Sequence, residues 1–179
     1  MRKAESGTSL TNRNRYIRMC IAKTLIQLMA AKPLNEITVT ALVKEANVSR
    51  MTFYKYYSSK EEVLSDYLYE IVNEYMQGLK QKEDIGGIHD LKHICYCLTF
   101  FKEHSSLIMT LVKADMYNVI MEALNNYMDQ YVLPNSNDSR YDLYYYAGAL
   151  CNVYIKWIER GAVESPEEIA EIVYKHLKR

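Results

Sequence analysis

Apolar residues recur every three or four positions along most of the chain, which is the spacing of helices with one buried face. In the first such stretch these positions are Ile17, Cys20, Ile21, Leu25, Leu28 and Met29. No stretch alternates apolar and polar residues for long enough to predict a strand. Only three prolines and six glycines interrupt the 179 residues, so long helices are permitted. The pattern predicts an all-α fold.

The breaks in this pattern predict about nine helices. We expect them at about residues 11–31, 39–46, 50–56, 60–81, 88–103, 105–112, 115–132, 140–160 and 166–178. Ser59 with Glu62, and Ser165 with Glu168, predict capping boxes at the starts of the fourth and last helices. Residues 1–10 predict a flexible basic arm.

Charge is unevenly distributed along a chain whose formal net charge is zero. Residues 1–60 hold eleven Lys and Arg against three acidic residues, a net +8, and residues 61–179 hold eleven against nineteen, a net −8. A basic head (residues 1–60) followed by an acidic body (residues 61–179) indicates that the head binds a polyanion. The apolar run 94–101 is too short to span a bilayer, and the polar start predicts no signal peptide. We therefore expect a cytoplasmic protein with reduced thiols and no membrane association.

Residues 37–64 carry the pattern of a helix-turn-helix. One face of its first helix is apolar: Ile37, Val39, Leu42, Val43 and Ala46. Asn47 stands where the turn needs a left-handed residue, and Ser49 can cap the next helix. Phe53 and Tyr57 are predicted to face inward, which turns the other side chains of residues 50–56 outward. A short helix with a basic, hydroxyl-rich outer face suits the major groove of DNA.

The predicted contacts to double-stranded DNA are Thr38, Thr40, Ser49, Arg50, Met51, Thr52, Tyr54, Lys55, Tyr56 and Lys60. Arg50 and Thr52 lie near a helix N-terminus, from which side chains reach base edges, and arginine is the commonest reader of guanine. Residues 54–56 and Lys60 have donors for phosphates. Three arginines of the first helix add a salt-sensitive grip: Arg13, Arg15 and Arg18. The alternative is a compact three-helix domain with a solvated face.

This stretch resembles the TetR family of transcriptional regulators. The matching segments are Ile37-Thr38-Val39, Leu42-Val43, Ala46-Asn47-Val48-Ser49, Thr52-Phe53-Tyr54 and Tyr57-Ser58-Ser59-Lys60-Glu61-Glu62-Val63-Leu64. The resemblance implies a DNA-binding domain over residues 11–60, with phosphate contacts at Tyr54 and Lys60, and a dimerisation and effector domain over residues 61–179. The chain departs from the family pattern at Asn47, where a glycine is usual. The run 49–54 looks like a subgroup that includes the dihydroxyacetone kinase regulator, in which one member activates through a protein partner.

The body carries two apolar stripes that predict a homodimer interface of paired helices. The predicted interface residues are Leu143, Ala147, Leu150, Tyr154, Ile158, Ile169, Ile172 and Val173. The alternative assigns these stripes to the core of the single chain. Tyrosines abundant in the body suit either a chamber for a small-molecule effector, lined from residues 88–132, or ordinary core. His89, His93 and Cys97 are spaced four apart, but the first and third are too far apart for one ion, so we expect no metal site.

We expect a homodimeric repressor that binds a pseudo-palindromic operator and responds to an effector. The alternative is a coactivator of the same fold that acts through a protein partner. No nucleophile–base pair, glycine-rich phosphate loop or cofactor motif is present in the sequence, so we expect neither catalytic residues nor cofactors.

Overall fold

The structure, a computed structural model, describes the backbone of residues 4–177 and the side chains of residues 12–177. In that part of the chain nine α-helices form, and no strand does. They are α1 (Ala4–Met29), α2 (Val39–Glu45), α3 (Arg50–Tyr56), α4 (Lys60–Lys80), α5 (Leu91–Glu103), α6 (Ser105–Lys113), α7 (Tyr117–Tyr127), α8 (Arg140–Glu159) and α9 (Pro166–Leu177). Short 3-10 turns lie at Leu34–Glu36 and Leu133–Asn135. The predicted all-α class and helix number are confirmed.

The first helix differs most from its predicted bounds. α1 begins at Ala4, so residues 4–10 of the predicted flexible arm are helical, and residues 1–3 lie outside the described residues. The segment has no proline and one glycine, so nothing in it stops a helix from extending toward the N-terminus. α7 differs too, because Asp115 has φ 59° and a π turn continues the helix over Met128–Val132.

The chain forms two compact units, of which the first ends at Glu70 and the second begins at Ile71. The division falls within α4, ten residues after the predicted boundary. The reason is that the first turns of α4 make polar contacts inside the first unit. Tyr57 Oη donates to Asp66 Oδ2 at 2.6 Å, and Arg15 Nε donates to Glu70 Oε2 at 2.8 Å.

Side-chain caps explain where several helices begin. Ser165 and Glu168 form the predicted capping box at α9, with hydrogen bonds of 2.7 and 3.2 Å. At α4 the Ser59 hydroxyl accepts from the Glu62 amide as predicted, and the Glu62 carboxylate accepts chiefly from the amide and hydroxyl of Ser58. These donations hold the pKa of Glu62 below its usual value.

The second unit has an apolar core built from α7, its π turn and α8, and α5 packs along α9. Its buried members are Ile88, Met128, Val132, Leu143, Tyr146 and Ala147. The Tyr146 hydroxyl is satisfied inside this core, because it donates to the Ile88 carbonyl at 2.7 Å. Among the described residues, no helix combines the length and apolar character that crossing a membrane requires.

Candidate nucleic-acid interface

The turn between α2 and α3 takes the predicted conformation. Asn47 has φ 52°, a left-handed value that asparagine tolerates better than most residues, and the Val48 amide closes the turn on the Val43 carbonyl at 2.9 Å. Ser49 caps α3, since its hydroxyl accepts from the Thr52 amide at 3.0 Å. Of the predicted apolar face, Ile37, Leu42 and Val43 are buried together with Phe53 and Tyr57 of the next helix, whereas Val39 and Ala46 are half-buried.

Burying Phe53 and Tyr57 turns the opposite face of α3 outward. Arg50, Met51, Tyr54 and Lys55 are exposed, and Met51 is 85% exposed. The Arg50 guanidinium carbon lies 6.0 Å from the centre of the Tyr54 ring, a cation–π contact that limits where the guanidinium can point. The face therefore presents two positive charges, a phenol hydroxyl and an apolar thioether together.

The hydroxyl groups beside this face already have partners within the chain. Ser49 Oγ and Thr52 Oγ1 are 2.8 Å apart, and Thr52 is half-buried. Thr38 caps α2 by accepting from the Ala41 amide at 3.1 Å, while Thr40 is exposed in the first turn of the same helix. A capping oxygen still has its own O–H to donate, so Thr38 keeps the group that a phosphate would accept.

Two predicted phosphate donors have structural roles that the sequence pattern did not suggest. Lys60 Nζ donates to the carbonyl oxygens of Leu34 and Ile37 at 2.5 and 2.6 Å. Lys60 therefore holds the connection between α1 and α2 in place. An ammonium has three donors and these bonds use two, so one N–H is left for a phosphate. Tyr56 is half-buried, and its hydroxyl donates to Asn14 Oδ1 on α1 at 2.6 Å.

The arginines of α1 differ in their contacts to acidic residues. Arg13 is exposed. Arg15 and Arg18 form ion pairs with Glu70, and Arg18 also lies 3.4 Å from an Asp66 oxygen. Their positive charge is thus compensated inside the first unit, which weakens the predicted salt-sensitive grip from these two residues.

Half of the predicted dimer stripe is buried inside the second unit. Leu143 and Ala147 have no exposed surface in the single chain, and Tyr154 and Ile169 keep 7% and 8% of theirs. The hydroxyl of Tyr154 also donates to the Phe101 carbonyl at 2.7 Å. The other members of the predicted stripe are half-buried or exposed: Leu150, Ile158 and Val173 are half-buried, and Ile172 is exposed.

Another face of α8 is open in the single chain, and the sequence analysis did not single it out. Tyr141 and Tyr145 are 81% and 79% exposed, and Ala149 and Asn152 continue the same side of the helix. We call these four residues the outer α8 face. Two large aromatic side chains this exposed on one helix face are the signal that could have found it.

Aromatic side chains fill the interior of the second unit around Tyr75. The centres of the rings of Tyr96, Phe101 and Tyr127 lie 5.5, 5.3 and 6.1 Å from that of Tyr75. The Tyr75 hydroxyl is 2.8 Å from His93 Nε2, and His93 Nδ1 is 3.2 Å from the Gly86 carbonyl oxygen. The Gly86 carbonyl can only accept, so Nδ1 carries the hydrogen that faces it, and burial lowers the pKa of His93. Among the described residues, no three or more His, Cys, Asp or Glu side chains lie together so that they could hold a metal ion.

Two family models match the chain. One, described as bacterial regulatory proteins of the tetR family, matches residues 21–67, and the other, a transcriptional regulator C-terminal region, matches residues 89–179. An HTH-type transcriptional regulator of Haemophilus influenzae is 26% identical over 120 residues, which cover 66% of this chain and 60% of that protein. The HTH-type transcriptional regulator EthR of Mycobacterium tuberculosis is 43% identical over 56 residues, which cover 31% of this chain and 26% of EthR. The chain thus spans less than two thirds of the length of either relative.

Solved structures share the fold over nearly the whole chain. A TetR transcriptional regulator from Streptococcus agalactiae superposes with a TM-score of 0.62 at 18% identity, covering 97% of this chain and 99% of that one. The dihydroxyacetone kinase operon activator DhaS superposes with a TM-score of 0.61 at 21% identity, covering 90% and 93%.

Proposed function

The chain belongs to the TetR family of transcriptional regulators, and from that premise we propose that it is a homodimeric repressor that places α3 in the major groove of a pseudo-palindromic operator. The observation that carries the proposal is the outward face of α3, with Arg50, Tyr54 and Lys55 exposed beside a rigidly capped turn. Arginine can bond guanine through two hydrogen bonds, and the phenol and ammonium groups can donate to phosphates.

A DNA-binding assay on selected sequences tests the proposed contacts of α3. Arg50→Ala should weaken binding to a selected operator by about 1–3 kcal/mol, because it removes a bidentate base contact. Tyr54→Phe should weaken binding to all sequences alike, because it removes a phosphate donor. The matched controls are Arg160→Ala and Tyr131→Phe, which change exposed residues of the second unit. Wild-type affinity in both test variants would refute the assigned contacts.

The homodimer is proposed through the outer α8 face together with Ile172 of α9. One seven-residue helix makes few base contacts, and two copies that read half-sites about 34–36 Å apart would supply the missing affinity. Tyr141 and Tyr145 offer aromatic area of the kind enriched in interfaces, and the small residues Gly148 and Ala149 allow a second helix to approach closely.

A charge introduced on this face tests the dimer without touching the core. Ala149→Glu should convert dimers to monomers in light scattering and weaken operator binding, while the far-ultraviolet spectrum stays that of a helical protein. Asn118→Glu places the same charge on the exposed side of α7 and should leave the dimer intact. An unchanged mass for Ala149→Glu would place the interface elsewhere.

The interior around Tyr75 supports an effector response. It combines aromatic surface with the Tyr127 hydroxyl and with the Tyr75–His93 pair, a mixture that would suit a small ligand with an apolar body if the packed rings moved apart. Such a ligand could release DNA only by favouring one of two body conformations. A screen of apolar and aromatic metabolites by melting temperature tests this, because a true effector raises the melting temperature and lowers operator affinity together.

Activation is the second candidate, favoured by the fold shared with the operon activator DhaS. Repression requires only that a bound dimer occupies the promoter, whereas activation also requires a surface for another protein. A reporter gene behind the selected operator separates the two. Adding the regulator lowers the reporter output if it is a repressor and raises the output if it is an activator. A chain that binds no DNA at low salt would instead be a coactivator.

A further inference from the structure

The outer face of α3 carries one apolar side chain among charged and hydroxyl-bearing ones. Met51 is 85% exposed, a value that only Val163 matches among the large apolar side chains of the described residues. Arg50 precedes it, and Lys55 follows one turn later on the same side of the helix. Single exposed apolar residues are common on protein surfaces, so exposure alone assigns no role. Met51, however, lies in the first turn of α3 and on its outward face, and this position suggests a role in recognition.

The small polar side chains around Met51 are engaged inside the turn. Ser49 Oγ accepts from the Thr52 amide at 3.0 Å, and the two hydroxyl oxygens are 2.8 Å apart. One of the two hydroxyl hydrogens is therefore used between them. The first turn of α3 then presents Arg50 and Met51 as its two long, exposed side chains.

We propose that Met51 reads the 5-methyl group of a thymine in the major groove, as a specificity-determining residue of the operator. The inference rests on the proposed function, because it requires α3 to enter that groove. Thymine presents a methyl group there, and apolar side chains recognise it. The unbranched thioether of methionine adapts its shape to such a contact, and covering both groups removes apolar surface from water.

The neighbouring arginine refines the expected sequence. Arg50 lies one position before Met51 and contacts the Tyr54 ring, which restricts its reach. Because arginine favours guanine and Met51 would favour thymine, each half-site should contain a guanine and a thymine close together.

Replacing thymidine by deoxyuridine tests the contact, because the two nucleosides differ only by the methyl group of the base. Operators are first selected from a random duplex pool, and each thymine of a half-site is then replaced in turn. Wild-type protein should bind about fourfold more weakly when one particular thymine in a single half-site loses its methyl, as expected for one buried methyl group. Met51→Ala should bind the thymine duplex more weakly and no longer distinguish the two duplexes. Met51→Leu should retain the discrimination, because leucine restores apolar surface.

Val163→Ala is the matched control, since it shortens an equally exposed apolar residue in the second unit. It should show the wild-type ratio between the two duplexes. Circular dichroism should show all three variants folded, because neither position is buried.

Several results would overturn the assignment to Met51 while leaving operator binding established. They are a selected half-site without thymine, wild-type affinity at every uridine position, or a Met51→Ala variant that keeps the full thymine preference. Failure of the wild-type protein to bind any duplex at low salt would be a different result, because it removes the proposed function and this inference with it.

Discussion

Substituting Glu70 should change the free energy of unfolding by an amount that can be worked out from its contacts. Its carboxylate accepts from Arg15 Nε at 2.8 Å and from the Arg18 guanidinium, and so connects α4 to α1 within the first unit. Glu70→Gln keeps the shape of the side chain and removes the charge. The two ion pairs should respond differently, because the Arg15 side chain is 54% exposed and the Arg18 side chain 29%.

The magnitude follows from these exposures. A pair as exposed as that with Arg15 contributes about 0.2–1 kcal/mol. The pair with Arg18 is better shielded, and a hydrogen bond to a charged group contributes about 1.5–3 kcal/mol. Asp66, at 3.4 Å, still compensates part of the Arg18 charge after the substitution. We therefore expect the free energy of unfolding to fall by about 1–3 kcal/mol in total.

Urea unfolding at low and high salt provides the assay. Glu74→Gln is the control, because it makes the same change at an exposed position one turn along α4. Glu70→Gln should also make DNA binding more dependent on salt, since an arginine charge no longer compensated by Glu70 can attract phosphates. A Glu70→Gln protein as stable as the control would refute the conclusion that these ion pairs hold α1 against α4.

Three further perturbations give separate tests by chemical denaturation. Asn47→Ala should lower the free energy of unfolding by about 1 kcal/mol, and Asn47→Gly should preserve it, because φ is 52° there; equal losses would argue against the left-handed turn. Lys60→Met should cost about 1–3 kcal/mol through the lost hydrogen bonds to the Leu34 and Ile37 carbonyls, and an unchanged midpoint would make those bonds unimportant. Because burial lowers the pKa of His93, the unfolded chain binds a proton first as the pH falls, so stability should decline below about pH 6.5 by at most about 1.4 kcal/mol per unit. His93→Gln should flatten that decline, and an identical pH profile would contradict it.

The helix-turn-helix could be predicted because its determinants are local. Phe53 and Tyr57 are one helical turn apart, and burying them decides which side chains of α3 face outward. Asn47 and Ser49 act on their own turn and helix start, so their conformations follow from residues within a few positions. Spacing in the sequence was enough to place every one of these residues.

Long polar side chains could not be placed in this way. Lys60 bonds carbonyls 23 and 26 residues earlier, and Arg15 meets Glu70 across 55 residues. No periodicity encodes such pairs, because a flexible side chain takes whichever partner the tertiary fold brings within reach. Sequence reasoning therefore predicts Lys60 and Arg15 as contacts to phosphates, although both side chains also connect segments of the first unit.

The dimer stripe shows a different limit of sequence reasoning. An apolar stripe predicts that a helix buries one face, but burial by the same chain and burial by a second copy leave the same pattern. Leu143 and Ala147 fit that pattern and lie in the core, whereas Tyr141 and Tyr145 lie on another side of α8 and remain exposed. Tyrosine has a polar tip, so a pattern that scores only apolar character treats an exposed row of tyrosines as a solvated face. The side chains that the single chain leaves uncovered, rather than the most apolar ones, are therefore where a second copy should be sought.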